Sequence, residues 1–169
     1  MAKIKAAVFD AGPFIHLHEI KSLKFIKLFA EILITEEISQ ECEFSISIVK
    51  EAKNVSIIKL KPENKNFAKY LMEKYKIHLG EATGIALCKQ EGIKLFFTDD
   101  LNARETAKII GFEPHGTLAI ILRAYKNRII KKKEAFLLIT ELYEHSSLFL
   151  TRDLYDWILK EIEQSEKNN

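Results

Sequence analysis

Short apolar runs alternate along this chain with longer stretches whose apolar residues recur every three or four positions. The runs are Ile4 to Phe9, Ile32 to Ile34 and KLFF ending at Phe97, while VSIIKLK from Val55 is a strand or extended segment and FEPH ending at His115 a short extended piece. Continuous apolar runs of this length predict strands buried on both faces. The intervening stretches predict helices. FIHLHEIKSLKFIKLFAEI carries Ile20, Leu23, Phe25, Ile26 and Phe29 at helical spacing, with Pro13 suited to a first turn. Thr35 is an N-cap for EEISQECE. Pro62 stands near the start of PENKNFAKYLMEKYK. Gly80 opens EATGIALCKQE, which Gly92 ends, and Gly111 stops NARETAKII. TLAIILRAYKNRII and KKEAFLLITELYEHS are amphipathic, LFL is a brief extended piece, and a last helix from about Thr151 carries Leu154, Trp157, Ile158 and Ile162. Residues 44–53 fit neither pattern clearly.

Strands alternating with helices imply βαβ units, hence an α/β fold with a mostly parallel sheet covered on both faces. At 169 residues the expectation is one domain over residues 1–163 with a polar tail at 164–169. No repeat, low-complexity segment or long linker interrupts it. The chain is 47% hydrophobic and 30% charged, with a net charge of +2, so charge balance alone announces no nucleic-acid partner. The bases are clustered, however. Lys131, Lys132 and Lys133 follow Arg123, Lys126 and Arg128, which suits either phosphate contact or a solvated helix end. Cys42 and Cys88 form no CxxC and no zinc spacing, so buried thiols in a reducing compartment are expected. The absence of a signal-like or membrane-spanning apolar stretch points to the cytoplasm.

The candidate chemistry lies in acids at element ends. Asp10 closes the first strand and Asp99-Asp100 follow the strand LFFT. In parallel sheets the site lies beyond the carboxyl ends of strands, at the switch in strand order, so neighbouring strands would bring these acids together. Glu41 borders the inward face marked by Ile38 and Cys42, with Glu37 as the runner-up on the same stripe. Glu81 lies in a helix's first turn. Each has an ordinary role open to it: a cap for Asp10, a surface charge for Glu41, a dipole contact for Glu81. Together they form a set of oxygen donors suited to Mg2+ or Mn2+. A divalent ion there could activate water for attack on a phosphodiester. Arg104, one turn beyond Asp100, could hold a phosphate or pair with a surface acid such as Glu105. His16, His18, His78 and His115 form no zinc spacing. His115 lies near the expected cleft.

VFDAGPFIHLHEI, EEISQE, GEATGIAL, FFTDDLNAR and HGTLAIILRA, in that order, resemble the PIN-domain ribonuclease superfamily. The likeness is to its prokaryotic, VapC-type toxin-like branch, whose members open with Asp-Ala-Ser-Pro-Leu. It runs from about residue 4 to 150. The resemblance implies a three-layer α/β/α sandwich and a Mg2+- or Mn2+-dependent endoribonuclease. It also implies a role as the toxin of a toxin–antitoxin pair or in RNA processing. Structured RNA such as tRNA or rRNA, an antitoxin protein and a second copy of the chain are the implied partners. Residue by residue, Asp10, Glu41, Glu81 and Asp100 match the family's metal-binding acids. Thr98, Asp99 and Arg104 would support them, with Thr98 bonding Asp10 or a water.

Three positions depart from the family pattern. Gly12 replaces the serine after Asp-Ala, Thr35 stands where proline usually precedes the second helix, and Thr83 replaces an acid after Gly80-Glu81-Ala82. None removes a metal-binding carboxylate. The alternative is a non-catalytic PIN-like protein that binds RNA or a partner through a decayed site. A haloacid-dehalogenase-like phosphatase also opens with a strand and Phe-Asp. It requires a second aspartate where this chain has Gly12.

Overall fold

The computed structural model describes residues 4–42 and 52–165. The open segment 44–53 falls mostly outside them. The described elements in chain order are β1 (Ala7–Phe9), α1 (Ala11–Glu19), a 3-10 turn (Leu23–Leu28), β2 (Ile32–Ile34), α2 (Glu36–Glu41) and β3 (Val55–Ile57). There follow α3 (Pro62–Tyr75), α4 (Leu79–Glu91), β4 (Leu95–Phe97), α5 (Leu101–Ile110), β5 (Glu113–His115), α6 (Thr117–Lys126), α7 (Lys132–His145) and α8 (Arg152–Ser165). The strands form one sheet in the order β3-β2-β1-β4-β5, and every pairing is parallel. Helices cover both faces, as in the expected α/β/α sandwich.

Strand alternation explains the two cores. Ala7, Phe9, Ile32, Ile34 and Phe97 point to one face and pack with α1, the 3-10 turn, α6, α7 and α8. Val8, Leu33 and Phe96 point to the other and pack with α3, α4 and α5. Successive side chains of a strand leave on opposite faces, so apolar runs of three feed both layers. The first core centres on phenylalanines. Phe9 lies 4.8 Å from Phe97, 4.9 Å from Phe29 and 5.2 Å from Phe14, between ring centroids.

Two expected helices are shorter than their patterns. The first breaks after Glu19, where Lys21 takes φ 53° and the Ser22 hydroxyl donates to the Ile20 carbonyl at 3.1 Å. The turn that follows buries Phe25, Ile26, Leu28 and Phe29, a wider apolar set than one helical stripe presents. The helix TLAIILRAYKNRII likewise stops at Lys126. Arg128 at φ 57° turns the chain so that Ile130 reaches the core. The LFL piece carries no regular secondary structure, and α8 runs to Ser165. Cys42 and Cys88 are buried, as expected. No helix among the described residues is long and apolar enough to cross a membrane.

α4 lies directly on the sheet because its inner face is small. Ala82 and Gly84 are buried, and a Cβ on Gly84 would come within 2.7 Å of the Phe96 ring. Gly84→Ala is therefore expected to destabilise the fold by about 1–3 kcal/mol, despite alanine's better helix propensity. Urea unfolding would measure it; an unchanged or raised midpoint would show that α4 has room to shift.

Candidate active site

β1 and β4 are neighbours, with Val8 opposite Phe96 and Phe9 opposite Phe97. β2 and β3 lie on one side of β1, and β4 and β5 on the other, so the order switches between β1 and β4. That switch is where an open parallel sheet leaves a crevice. Asp10 and Thr98 are the first residues beyond these two strands. The Asp10 amide donates to the Phe97 carbonyl at 2.8 Å, and the Thr98 hydroxyl donates to Asp10 Oδ2 at 2.9 Å.

Asp10 is only 6% exposed. Burial, reinforced by the charges of Glu81 and Asp99, pushes its carboxyl up to about 6. The Ala11 amide and the Thr98 hydroxyl offset part of that rise. Asp10 does not cap α1 through its side chain, although it occupies the N-cap position. The simple capping role open to it from the sequence therefore does not account for it.

The other acids gather around the same crevice. Asp10, Gly12, Glu41, Glu81, Asp99 and Asp100 line one open cavity of about 330 Å3; Glu37 is not among its lining residues. Glu41 reaches across from the end of α2 to the start of α4 and accepts from the Gly80 amide. Its carboxyl is raised first by burial and then by the charge of Asp10. Gly80 makes this approach possible: a Cβ there would lie 2.5–2.8 Å from the Glu41 carboxylate. Glu81 folds back to accept from the His78 amide. Burial raises it first, with Asp100 and Glu41 adding to the effect. Asp100 caps α5 by accepting from the Ala103 amide at 2.8 Å, and its own amide is 3.3 Å from the Thr98 hydroxyl.

Asp99 has a different place. Its Oδ1 accepts from the Thr117 amide at 2.7 Å, and its Oδ2 from the Thr117 hydroxyl at 2.5 Å. His16 Nδ1 lies 2.7 Å from the same Oδ2. Asp99 thus ties α1, the β4 end and the start of α6 together. His16 carries no sequence signal for this, because its partner lies 83 residues away. Gly12, where a serine was expected, is not required by packing: a Cβ there would sit 3.5 Å from Asp99 Oδ2 and 3.7 Å from the His16 ring.

Carboxylate oxygens are the right donors for Mg2+ or Mn2+. As placed, no three His, Cys, Asp or Glu groups among the described residues stand together closely enough to hold an ion. Glu41, Glu81 and Asp100 are instead bonded to amides at the starts of helices, where the partial positive charge favours an anion. The donor chemistry fits a hard divalent cation. The three acids would have to leave these amides to share one.

Arg104 makes no ion pair or side-chain hydrogen bond with the described residues; the surface pairing open to it from the sequence does not form there. Arg104 and Arg123 lie near His115. Burial, with these two cations, lowers the His115 imidazole below its ordinary value.

A family model described as a PIN domain, DUF3368, matches residues 6–164. Among solved structures the chain resembles Mycobacterium tuberculosis VapC20, described as a sarcin-ricin loop cleaving toxin. The TM-score is 0.51 at 10% identity, over 63% of this chain and 96% of that one. This likeness is one of fold. No curated protein matches the chain.

The raised Asp10 carboxyl fixes a sign for its effect on stability. Its folded value of about 6 lies above the ordinary 3.8, so folding disfavours the ionised form. The resulting destabilisation is absent below about pH 4, grows between about 4 and 6, and is complete above. Asp10→Asn, whose amide oxygen can still accept from Thr98, is expected to be more stable than wild type near pH 7 by up to about 3 kcal/mol. The advantage should vanish by about pH 4. Denaturant titrations at the two pH values would test this; a loss of stability at both would make Asp10 a structural cap.

Proposed function

This chain belongs to the PIN-domain family, and on that footing we propose that it is a Mg2+- or Mn2+-dependent endoribonuclease that hydrolyses RNA phosphodiester bonds. The observation that carries the proposal is Asp10, a buried carboxylate at the sheet's switch point on which the like charges of Glu81 and Asp99 act. A site that keeps an ionisable group there against both burial and repulsion is one that a cation would stabilise.

In this reading Asp10, Glu41, Glu81 and Asp100 would hold the ion, which would supply Lewis-acid chemistry toward a phosphate and a lowered pKa for a coordinated water. The chain's own residues do the positioning. Thr98 fixes the orientation of Asp10 through its hydroxyl, and Asp99, anchored by Thr117 and close to His16, holds the turn that presents Asp100. Arg104 is available to a phosphate oxygen. The partners that go with this reading are a structured RNA such as tRNA or rRNA, an antitoxin protein, and a second copy of the chain. Their common setting would be the cytoplasm.

A second reading has its own support. The amide bonds made by Glu41, Glu81 and Asp100, together with Gly12 in place of serine, suit a non-catalytic PIN-like protein that binds RNA or a partner. The two readings separate in one assay. Structured RNA incubated with Mn2+ should be cut by wild type, spared in EDTA, and spared by Asp10→Asn and Asp100→Asn, with losses of at least about 100-fold expected for groups of this kind. If wild type cuts no more than Asp10→Asn under any divalent metal, the nuclease reading is wrong. Mn2+ should also raise the melting temperature of wild type by several degrees more than that of Asp10→Asn, through binding to the native state alone. Equal shifts would mean that the ion binds elsewhere.

A further inference from the structure

Beside the acidic cleft the chain exposes an aromatic ring with no role in the fold. Phe149, in the irregular segment between α7 and α8, is 84% exposed, and it lines the acidic cavity. It also lines an adjoining cavity of about 240 Å3, together with Arg104, His115, Leu101 and Trp157. Leu101 is 70% and Trp157 54% exposed. His115 leads on to a third cavity, where Arg123 and Lys126 stand along α6. Carboxylates, an exposed ring and a row of cations thus follow one another along one surface.

We propose that Phe149 is a stacking platform for an RNA base next to the reacting phosphate, with Arg104 and Arg123 on the phosphates that follow. The proposal rests on the nuclease reading and extends it by naming how the substrate is held. Charge complementarity selects this occupant. Arg104, Arg123 and Lys126 form no ion pair with the described residues, so their charges are available to a polyanion. An aromatic ring beside such cations is the combination that binds single-stranded nucleic acid, since every base has a face to stack. A base held in an A-form helix is already stacked on both sides, so the platform requires an unpaired nucleotide. Phe149 is a positioning residue: it would fix the base and thereby place the phosphate over the acids.

The chain's single tryptophan makes the proposal measurable, because Trp157 lies in the same cavity as Phe149. Full-length protein in EDTA would be titrated with a single-stranded oligoribonucleotide of about 10 residues, within the range such surfaces span, and with the same sequence in a duplex. The single strand should change Trp157 fluorescence saturably and the duplex should bind more weakly. Phe149→Ala and Phe149→Leu should each weaken binding on the order of 10-fold, while Phe149→Tyr restores it. Arg104→Ala should weaken binding and flatten its salt dependence. Equal affinity for wild type, Phe149→Ala and Phe149→Leu would overturn the platform. So would a change of oligomeric state in Phe149→Ala with RNA affinity intact, which would assign the ring to contact between copies. Because binding is read without metal, the two proposals fail separately. Phe149-dependent binding without cleavage sinks only the nuclease, and cleavage with Phe149-independent binding sinks only the platform.

Discussion

The parallel pairing of β1 with β4 is the constraint on which the candidate site depends. It places Asp10 and Thr98 side by side where the two strands end. The core beneath it is built from the same strands: Phe9 and Phe97 stack directly under the residues that follow them. The bond from the Asp10 amide to the Phe97 carbonyl fixes its backbone, and the Thr98 hydroxyl holds its side chain. Its carboxylate is held in a place where ionisation is unfavourable, and the surrounding groups are arranged around that fact.

What surrounds it is a ring of helix starts. Glu41, Glu81 and Asp100 each rest on an amide near the beginning of α4 or α5. Backbone N–H groups at a helix start carry partial positive charge, so they partly neutralise acids that would otherwise repel one another. A divalent ion would compete with these amides for the same oxygens. The amide bonds hold a dense acidic cluster together within the fold. Glycine at position 80 is part of this device, since any side chain there would collide with the Glu41 carboxylate.

Asp99 shows how adjacent acids can diverge. Asp100 faces the start of its own helix, whereas Asp99 joins three elements through Thr117 and His16. Asp100 is the N-cap of α5 and turns its carboxylate to that helix, while Asp99 just before it meets α1 and α6. Within the strands, alternation divides the hydrophobic runs between two cores.

Local pattern in the sequence was enough for the elements and their order. Uninterrupted runs such as ILI and LFF read as buried strands, Thr35 as a cap, and Gly92 and Gly111 as helix ends, because each is decided by interactions within a few residues. The acids were legible as candidates for the same reason, lying at the ends of strands and helices that the pattern locates. The breaks at Lys21 and Arg128 were not, because the gain that drives them is burial of Phe25, Phe29 and Ile130 against distant partners. Nor was the bond from Thr35 to Thr83, the contact of His16 with Asp99, or the cradle of Gly80 for Glu41. The sequence by itself determined which residues carry charge and where glycines such as Gly92 and Gly111 end a helix. Which of those charges meet was decided only by the tertiary structure, because strand order, unlike helix periodicity, is set by contacts between residues far apart in the chain.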